Sequence, residues 1–179
     1  MTRPDTMPEP DPIERQVTAE ATEESPEVIL ERVIRLAFGG DRQRYAEFLR
    51  TIREAIPPDV QVIMRGSAVT GYRWRTDIPF DADGPGTSDI DLTLIGGDMV
   101  KLFEVHYIPG LHSAPLSDDH PDASVLLIPL RERLTHIAGR PVNIQASADL
   151  LQFLRDVVMS QPYLTIIQKQ EADGTSEDS

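Results

Sequence analysis

Two aspartates that stand two positions apart, Asp89 and Asp91, are the residues in this chain best suited to chemistry. They open a short run of alternating residues, which predicts a β-strand over residues 89–95. Side chains at positions i and i+2 of a strand point to the same face, so both carboxylates should project from one side of a sheet. Two carboxylates this close repel each other, and a divalent cation relieves that repulsion. The pair therefore predicts a Mg²⁺ or Mn²⁺ site.

A Gly-Ser pair, Gly66-Ser67, directly follows a β-branched run that predicts a strand over residues 60–64. A glycine at a strand-to-turn junction lets the backbone approach a ligand closely. The N–H groups of such a turn, together with the Ser67 hydroxyl, can bind phosphate oxygens. Each motif alone is common in proteins. The two together, in this order on neighbouring strands, are more specific and predict a phosphate-binding site beside a metal site.

The elements that must position these residues are predicted from periodicity and capping signals. Helices should begin after Ser25 and Asp41, since both residues are good N-caps and apolar residues follow at helical spacing. The other predicted elements are an irregular stretch over 71–88, a short helix from 98, a loop over 109–121, a helix over 131–138, a strand over 141–145, a helix capped by Ser147 and an extended segment over 163–167. This order predicts an α/β (α+β layered) domain, in which helices pack on a small mixed sheet.

The charge distribution separates the ends of the chain from its middle. The 179 residues carry a net charge of −13, of which −6 lies in residues 1–27 and −4 in residues 170–179. We therefore predict disordered acidic tails over 1–25 and 169–179, the first rich in proline, around a folded domain over 26–168. The acidity argues against duplex DNA as a partner. The chain has no cysteine, which excludes thiol nucleophiles and cysteine-held metals. No apolar run is long enough for a membrane, so a cytoplasmic protein is expected.

Residues 62–67 and 87–92 together resemble the sequence pattern of the nucleotidyltransferase superfamily, which shares the DNA polymerase β-like fold. That pattern is an apolar strand, Gly-Ser, a spacer, and an Asp-apolar-Asp strand preceded by serine. The resemblance implies a nucleotidyltransferase-like fold over residues 41–167. It also implies that Asp89 and Asp91 are catalytic and hold two Mg²⁺ ions, with Gly66, Ser67 and Ser88 binding the triphosphate.

The spacer between the two motifs, residues 68–88, is longer than in the minimal members of that family. It contains Arg73, Trp74 and Arg75. One interpretation is a flap, in which Trp74 stacks on a base and the two arginines meet phosphate. The other is an insertion whose tryptophan packs on its own loop. The Asp81-Ala82-Asp83-Gly84 stretch within it is interpreted as an acidic turn rather than as a calcium loop.

The main departure from the family pattern concerns a third carboxylate. Active members of the family carry it on a later strand. The matching strand places Asn143 at that position, and asparagine is uncharged and cannot act as a base. Asn143 could still coordinate a metal or hydrogen-bond an acceptor, so it is kept as a candidate catalytic residue. Glu104, Asp118 and Asp119 are alternative sources of the acid, although all three also fit ordinary surface positions.

The resemblance implies a metal-dependent enzyme that moves a nucleoside monophosphate from an NTP, with ATP favoured, to an acceptor hydroxyl. A small molecule or a protein is favoured as acceptor, because the near-neutral body of the chain has no long basic track for a polynucleotide. Asn143 leaves an alternative open. The chain could instead be a catalytically impaired nucleotide-binding module, or a regulatory or protein-interaction module, on the same fold.

Overall fold

A mixed sheet of six strands forms the centre of the protein. The computed structural model describes residues 24–159 and 161–171. Its strands are β1 (Gln61–Arg65), β2 (Ile90–Ile95), β3 (His106–Ile108), β4 (His112–Ser113), β5 (Val142–Ser147) and β6 (Tyr163–Ile167). They lie in the order β3-β4-β5-β2-β1-β6, and only the β2–β5 pair is parallel. The predicted α/β class with a mixed sheet is therefore confirmed.

Six α-helices are connected to this sheet within the described residues. They are α1 (Pro26–Ala37), α2 (Arg42–Ala55), α3 (Ser67–Thr70), α4 (Gly97–Val100), α5 (Ile128–Ala138) and α6 (Leu150–Phe153), and a π-helical turn over Leu154–Val158 continues α6. The predicted N-caps of the first two helices are confirmed. Ser25 accepts a hydrogen bond from the Val28 N–H, and Asp41 accepts from the first N–H groups of α2. These bonds satisfy donors that a helix cannot pair internally.

One face of the sheet is apolar and forms the main core against the three longest helices. The residues on this face alternate along the three central strands: Val62, Met64, Ile90, Leu92, Leu94, Val142, Ile144 and Ala146. They pack with helix residues such as Val33, Phe48 and Leu134, all fully buried. Because strand side chains alternate, this burial fixes which residues must point to the other face.

The opposite face of the sheet is mixed. Ile63 and Ile95 pack there beneath Phe153 and Val158, which belong to α6 and the π-helical turn. The remaining positions of the central strands on this face are polar, and they include Arg65, Asp91, Thr93, Asn143 and Gln145. The candidate chemical groups therefore lie on the side away from the main core.

Two sequence predictions about local structure were wrong. Ser147 does not cap a helix: it ends β5, is fully buried, and its Oγ lies 2.8 Å from His112 Nδ1. Asp149 caps α6 instead, accepting from the Gln152 N–H at 2.8 Å. The predicted loop over 109–121 contains β4, which pairs with β3 in a hairpin. Strands of three and two residues are too short to leave an alternating pattern, so the sequence gives no signal for them.

The predicted tails fall mainly on residues 1–23 and 172–179, which lie outside the described residues. The domain limits therefore remain a prediction. Gln170 lies inside the second predicted tail, and its N–H donates to the Pro58 carbonyl at 2.8 Å. Within residues 24–159 and 161–171, no helix is both long and apolar enough to cross a membrane.

The irregular segment before β2 is held by an ion pair between Asp81 and Arg140. The guanidinium binds both Asp81 carboxylate oxygens, at 2.8 and 3.1 Å, and lies 4.5 Å from the centre of the Phe80 ring. It also donates to the Ser88 carbonyl and to the last carbonyls of α1. The Asp81 carboxylate in turn accepts the N–H groups of Gly86 and Ser88. The acidic turn predicted here is thus the anchor that fixes the chain just before Asp89.

This anchor predicts a specific loss of stability in acid. Burial raises the pKa of Asp81, but the hydrogen bonds from Arg140, Ser88 and Gly86 outweigh it and lower that pKa to about 2, from 3.8. Because this pKa is lower in the folded than in the unfolded state, ionised Asp81 stabilises the fold at pH values above about 4. The stabilisation amounts to about 2 kcal/mol, and it is lost as the pH falls from about 4 to about 2. We expect Asp81→Asn to lose about that much in urea unfolding at pH 7, with a smaller deficit at pH 3.

The matched control is Asp83→Asn. Asp83 is also an aspartate of this turn paired to an arginine, but its side chain is two-thirds exposed, so the change should be within about 0.5 kcal/mol. Equal losses in the two variants, or a deficit of Asp81→Asn that does not shrink in acid, would contradict the role assigned to the anchor.

Candidate active site

The register of the three central strands brings the polar candidates into one row. Asp91 is the direct partner of Arg65 on β1 and of Asn143 on β5. Since paired residues in a sheet point to the same side, the three side chains lie next to each other on the face away from the main core. Asp89 precedes the first residue of β2 and reaches the same place. The structure thus brings together both candidate carboxylates and the candidate amide.

The Asn143 side chain binds both carboxylates at once. Its Nδ2 donates to Asp89 Oδ2 at 2.6 Å and to Asp91 Oδ1 at 3.0 Å. Asn143 is therefore in direct contact with both aspartates, at the position where the family resemblance implied a third acid. Glu104, Asp118 and Asp119 are exposed surface residues outside this cluster, and Asp118 pairs with Arg131 at 2.7 Å. Their positions therefore do not support the expectation that one of these three residues supplies the missing acid.

Gly66 is required by the position of Asp91. Its φ of +82° and ψ of −162° lie in a region that only glycine adopts readily. A Cβ at this position would stand 2.6 Å from Asp91 Oδ2, closer than two such atoms can approach. The absent side chain thus makes room for the carboxylate, which lies directly against the backbone where β1 turns into α3.

The electrostatic environment of Asp91 works against its ionisation. Burial raises the pKa of the Asp91 carboxyl, and the neighbouring Asp89 carboxylate raises it further. The Arg65 guanidinium and the Asn143 amide lower that pKa, but the net direction is upward. Two adjacent carboxyl groups that are difficult to ionise are typical of functional sites, because a bound cation stabilises their charged form.

The carboxylates open into a cleft of about 260 Å³. The residues that line it are Arg65, Gly66, Ser67, Arg73, Trp74, Thr87, Ser88, Asp89, Asp91 and Gln161. Seven of the ten were predicted from the sequence. The ten come from β1, the turn after it, the spacer, the start of β2 and the segment before β6. The cleft therefore joins the Gly-Ser motif, the two aspartates and part of the spacer into one concave site.

The spacer residues divide between the cleft and the surface. Trp74 is partly buried and lines the cleft, and Arg73 lines it while pairing with Asp83. Arg75 is exposed, has a φ of +65° and is not among the lining residues. Ser88 is buried, and its Oγ accepts the Asp81 N–H at 2.8 Å, so it also holds the spacer in place. The structure thus places Arg73 and Trp74, but not Arg75, with the other candidates.

Sequence reasoning missed three lining residues: Arg65, Thr87 and Gln161. Arg65 had a usable signal, because Val62 and Met64 alternate towards the core and Arg65 must then point with Asp91. Its Nη2 donates to Gln145 Oε1 at 3.3 Å, so the side chain extends across β2 towards β5. Gln161 enters from the segment before β6, and nothing in its local sequence indicates that placement.

The donor set of the cleft fits one kind of metal better than others. Among the described residues there is no group of three or more His, Cys, Asp or Glu side chains arranged to hold a metal. The available donors in the cleft are the two carboxylates. Asn143 is not among the lining residues, but its amide contacts both carboxylates, and a rotation of the amide would turn its oxygen towards them. Mg²⁺ commonly uses one or two carboxylates and completes its shell with water and phosphate oxygens. The residues present fit such an ion, with the third protein acid absent.

Comparison with known proteins gives no relative on which to base an assignment. No protein-family model, curated protein or solved structure matches this chain.

The close approach of Gly66 and Asp91 can be tested by a paired substitution. Gly66→Ala combines backbone strain of about 1–3 kcal/mol with a collision against Asp91, so its loss in urea unfolding should reach about 3 kcal/mol. Gly39 has a φ of +63° and open space around it, so Gly39→Ala reports the cost of a positive φ without a collision and should lose about 1 kcal/mol. Equal losses from the two substitutions would mean that Asp91 does not lie against Gly66.

Proposed function

We propose that this chain is a metal-dependent nucleotidyltransferase that moves a nucleoside monophosphate from an NTP to an acceptor hydroxyl, on a nucleotidyltransferase-like fold. One observation carries the proposal: the Gly-Ser turn, both aspartates and four residues of the spacer line a single cleft. The two motifs are separated by 21 residues of sequence, and the resemblance of each alone is weak. Their convergence at the end of two paired strands is what the proposed function requires.

In the proposed reaction the acceptor oxygen forms a bond to the α-phosphorus and the α–β phosphoanhydride bond breaks. Pyrophosphate leaves, and the hydroxyl proton passes to solvent. A divalent cation held by Asp89 and Asp91 would neutralise phosphate charge and stabilise the charge that develops on the leaving group. Gly66 and Ser67 offer backbone N–H groups and a hydroxyl at the cleft wall for the phosphates. Arg73 adds a positive charge at the cleft, and Trp74 offers an aromatic face for a base.

The proposed function also specifies partners. ATP is the favoured nucleotide, Mg²⁺ or Mn²⁺ the cofactor, and a small molecule or a protein the acceptor. Neither a duplex DNA nor a membrane is part of the proposal. The net charge of −13 argues against a long polynucleotide as the acceptor.

The test is transfer of label from each of four α-labelled NTPs, with Mg²⁺ or Mn²⁺ and a cell extract as the source of acceptors. We expect the wild-type chain to label an acceptor, and Asp89→Ala and Asp91→Ala each to reduce transfer by a factor of about 10² or more, because each removes a direct metal ligand. Circular dichroism and urea unfolding of both variants establish that they fold. Transfer that survives in a folded Asp89→Ala variant would contradict the proposal.

A second function is favoured by one observation, the hydrogen bonds from Asn143 to both aspartates. A neutral amide in this place would suit a module that binds nucleotide without turnover. Asn143→Asp separates the two functions in the same assay. Transfer by the variant but not by the wild type indicates an impaired enzyme, whereas transfer by the wild type supports the enzyme directly.

A further inference from the structure

Asn143 changes the charge of the site as well as its ligand set. Its amide nitrogen occupies the space between Asp89 and Asp91, 2.6 and 3.0 Å from their oxygens. A carboxylate at this position would add a third negative charge and two more oxygen ligands. The amide adds no charge, and it has a single oxygen to offer a cation.

Arg65 reduces the negative charge further from the other side. It is the β1 partner of Asp91, and its guanidinium crosses β2 to Gln145, so it lies beside the carboxylate on the same face of the sheet. Asp89, Asp91 and Arg65 together carry a formal charge of −1. The bottom of the cleft is thus much less negative than two adjacent aspartates alone would make it.

The packing of Asp91 limits how many cations it can contact. One oxygen, Oδ2, lies against the Gly66 backbone so closely that a Cβ would stand 2.6 Å away. The other, Oδ1, accepts from Asn143. Each Asp91 oxygen thus has a close neighbour within the protein, the Gly66 backbone on one side and the Asn143 amide on the other.

From these three observations we infer that the site holds one divalent cation, bound together with the triphosphate, and that Asn143 sets this limit of one. The inference rests on the proposed function and differs from the pair of ions that the family resemblance implies. Two divalent cations in a shared site stand about 3.5–4 Å apart, and their repulsion must be offset by negative ligands. A net charge of −1, on a carboxylate whose two oxygens already have close neighbours in the protein, does not supply them.

The inference is tested by counting bound Mn²⁺ on the full 179-residue chain. Equilibrium dialysis against Mn²⁺ and an unreactive ATP analogue, with a methylene group between the α- and β-phosphorus, gives the bound ratio of metal to nucleotide. Electron paramagnetic resonance then distinguishes an isolated Mn²⁺, with its six-line spectrum, from an exchange-coupled pair. The variants are Asn143→Asp, which restores a carboxylate, and Asn143→Leu, which removes the amide without adding charge.

We expect a metal-to-nucleotide ratio of about one and an uncoupled spectrum for the wild type and Asn143→Leu. For Asn143→Asp we expect a ratio of about two and a coupled spectrum. A ratio of two in the wild type would overturn the inference and leave the proposed function intact, and this count needs no variant to fold. A folded Asn143→Asp that stays at one would overturn the role of Asn143. A chain that retains neither Mn²⁺ nor the analogue would refute the proposed function itself.

Discussion

The pairing of β2 between an antiparallel β1 and a parallel β5 is the constraint on which the site depends. This register places Arg65, Asp91 and Asn143 in one row, and it places the Gly66 turn at the end of β1 directly against the Asp91 carboxylate. The apolar residues on the other face fix the register, because a slip by one residue would turn the buried side chains outward. The hydrophobic core on one side of the sheet thus determines the geometry of the polar site on the other.

Buried polar atoms on the Asp91 face of the sheet lower the stability of the protein, and contacts elsewhere in the fold offset this loss. Among the described residues, Arg65 Nε and Thr93 Oγ1 are buried without a hydrogen-bond partner, and both lie on the same sheet face as Asp91. Such atoms cost about 1–3 kcal/mol each and are concentrated at functional sites. The Asp81–Arg140 anchor acts in the opposite direction, since it joins the spacer, the end of α1 and the entrance to β2 through one guanidinium.

The sequence predicted the elements whose signals are local. Ser25 and Asp41 mark helix starts through their own side chains, and the alternating runs before Gly66 and after Asp89 mark β1 and β2. Asn143 was predicted on the strand that becomes β5, at the position where the family resemblance implies a third acid. The site residues thus followed from motifs, whereas the neighbour relation of their strands needed the structure.

What the sequence did not predict depends on contacts between distant residues. The pairing of Asp81 with Arg140 spans 59 positions, and the contact between Gly66 and Asp91 depends on which strands become neighbours. The β3–β4 hairpin is too short to show a period and forms through β4 pairing with β5. The switch from α6 to a π-helical turn likewise has no local signature at this length.

Trp74 gives a direct probe of whether the cleft beside Asp91 binds a metal ion together with a nucleotide. Trp74 is the chain's single tryptophan and lines this cleft, so its fluorescence reports on the cleft alone. We would titrate the wild type and Asp91→Asn with each of four NTPs, with and without Mg²⁺, and use free tryptophan to correct for absorption. If the cleft is such a site, at least one NTP will produce a saturable change in Trp74 emission that requires Mg²⁺ and is lost in a folded Asp91→Asn. Emission unaffected by every NTP up to about 1 mM would contradict it.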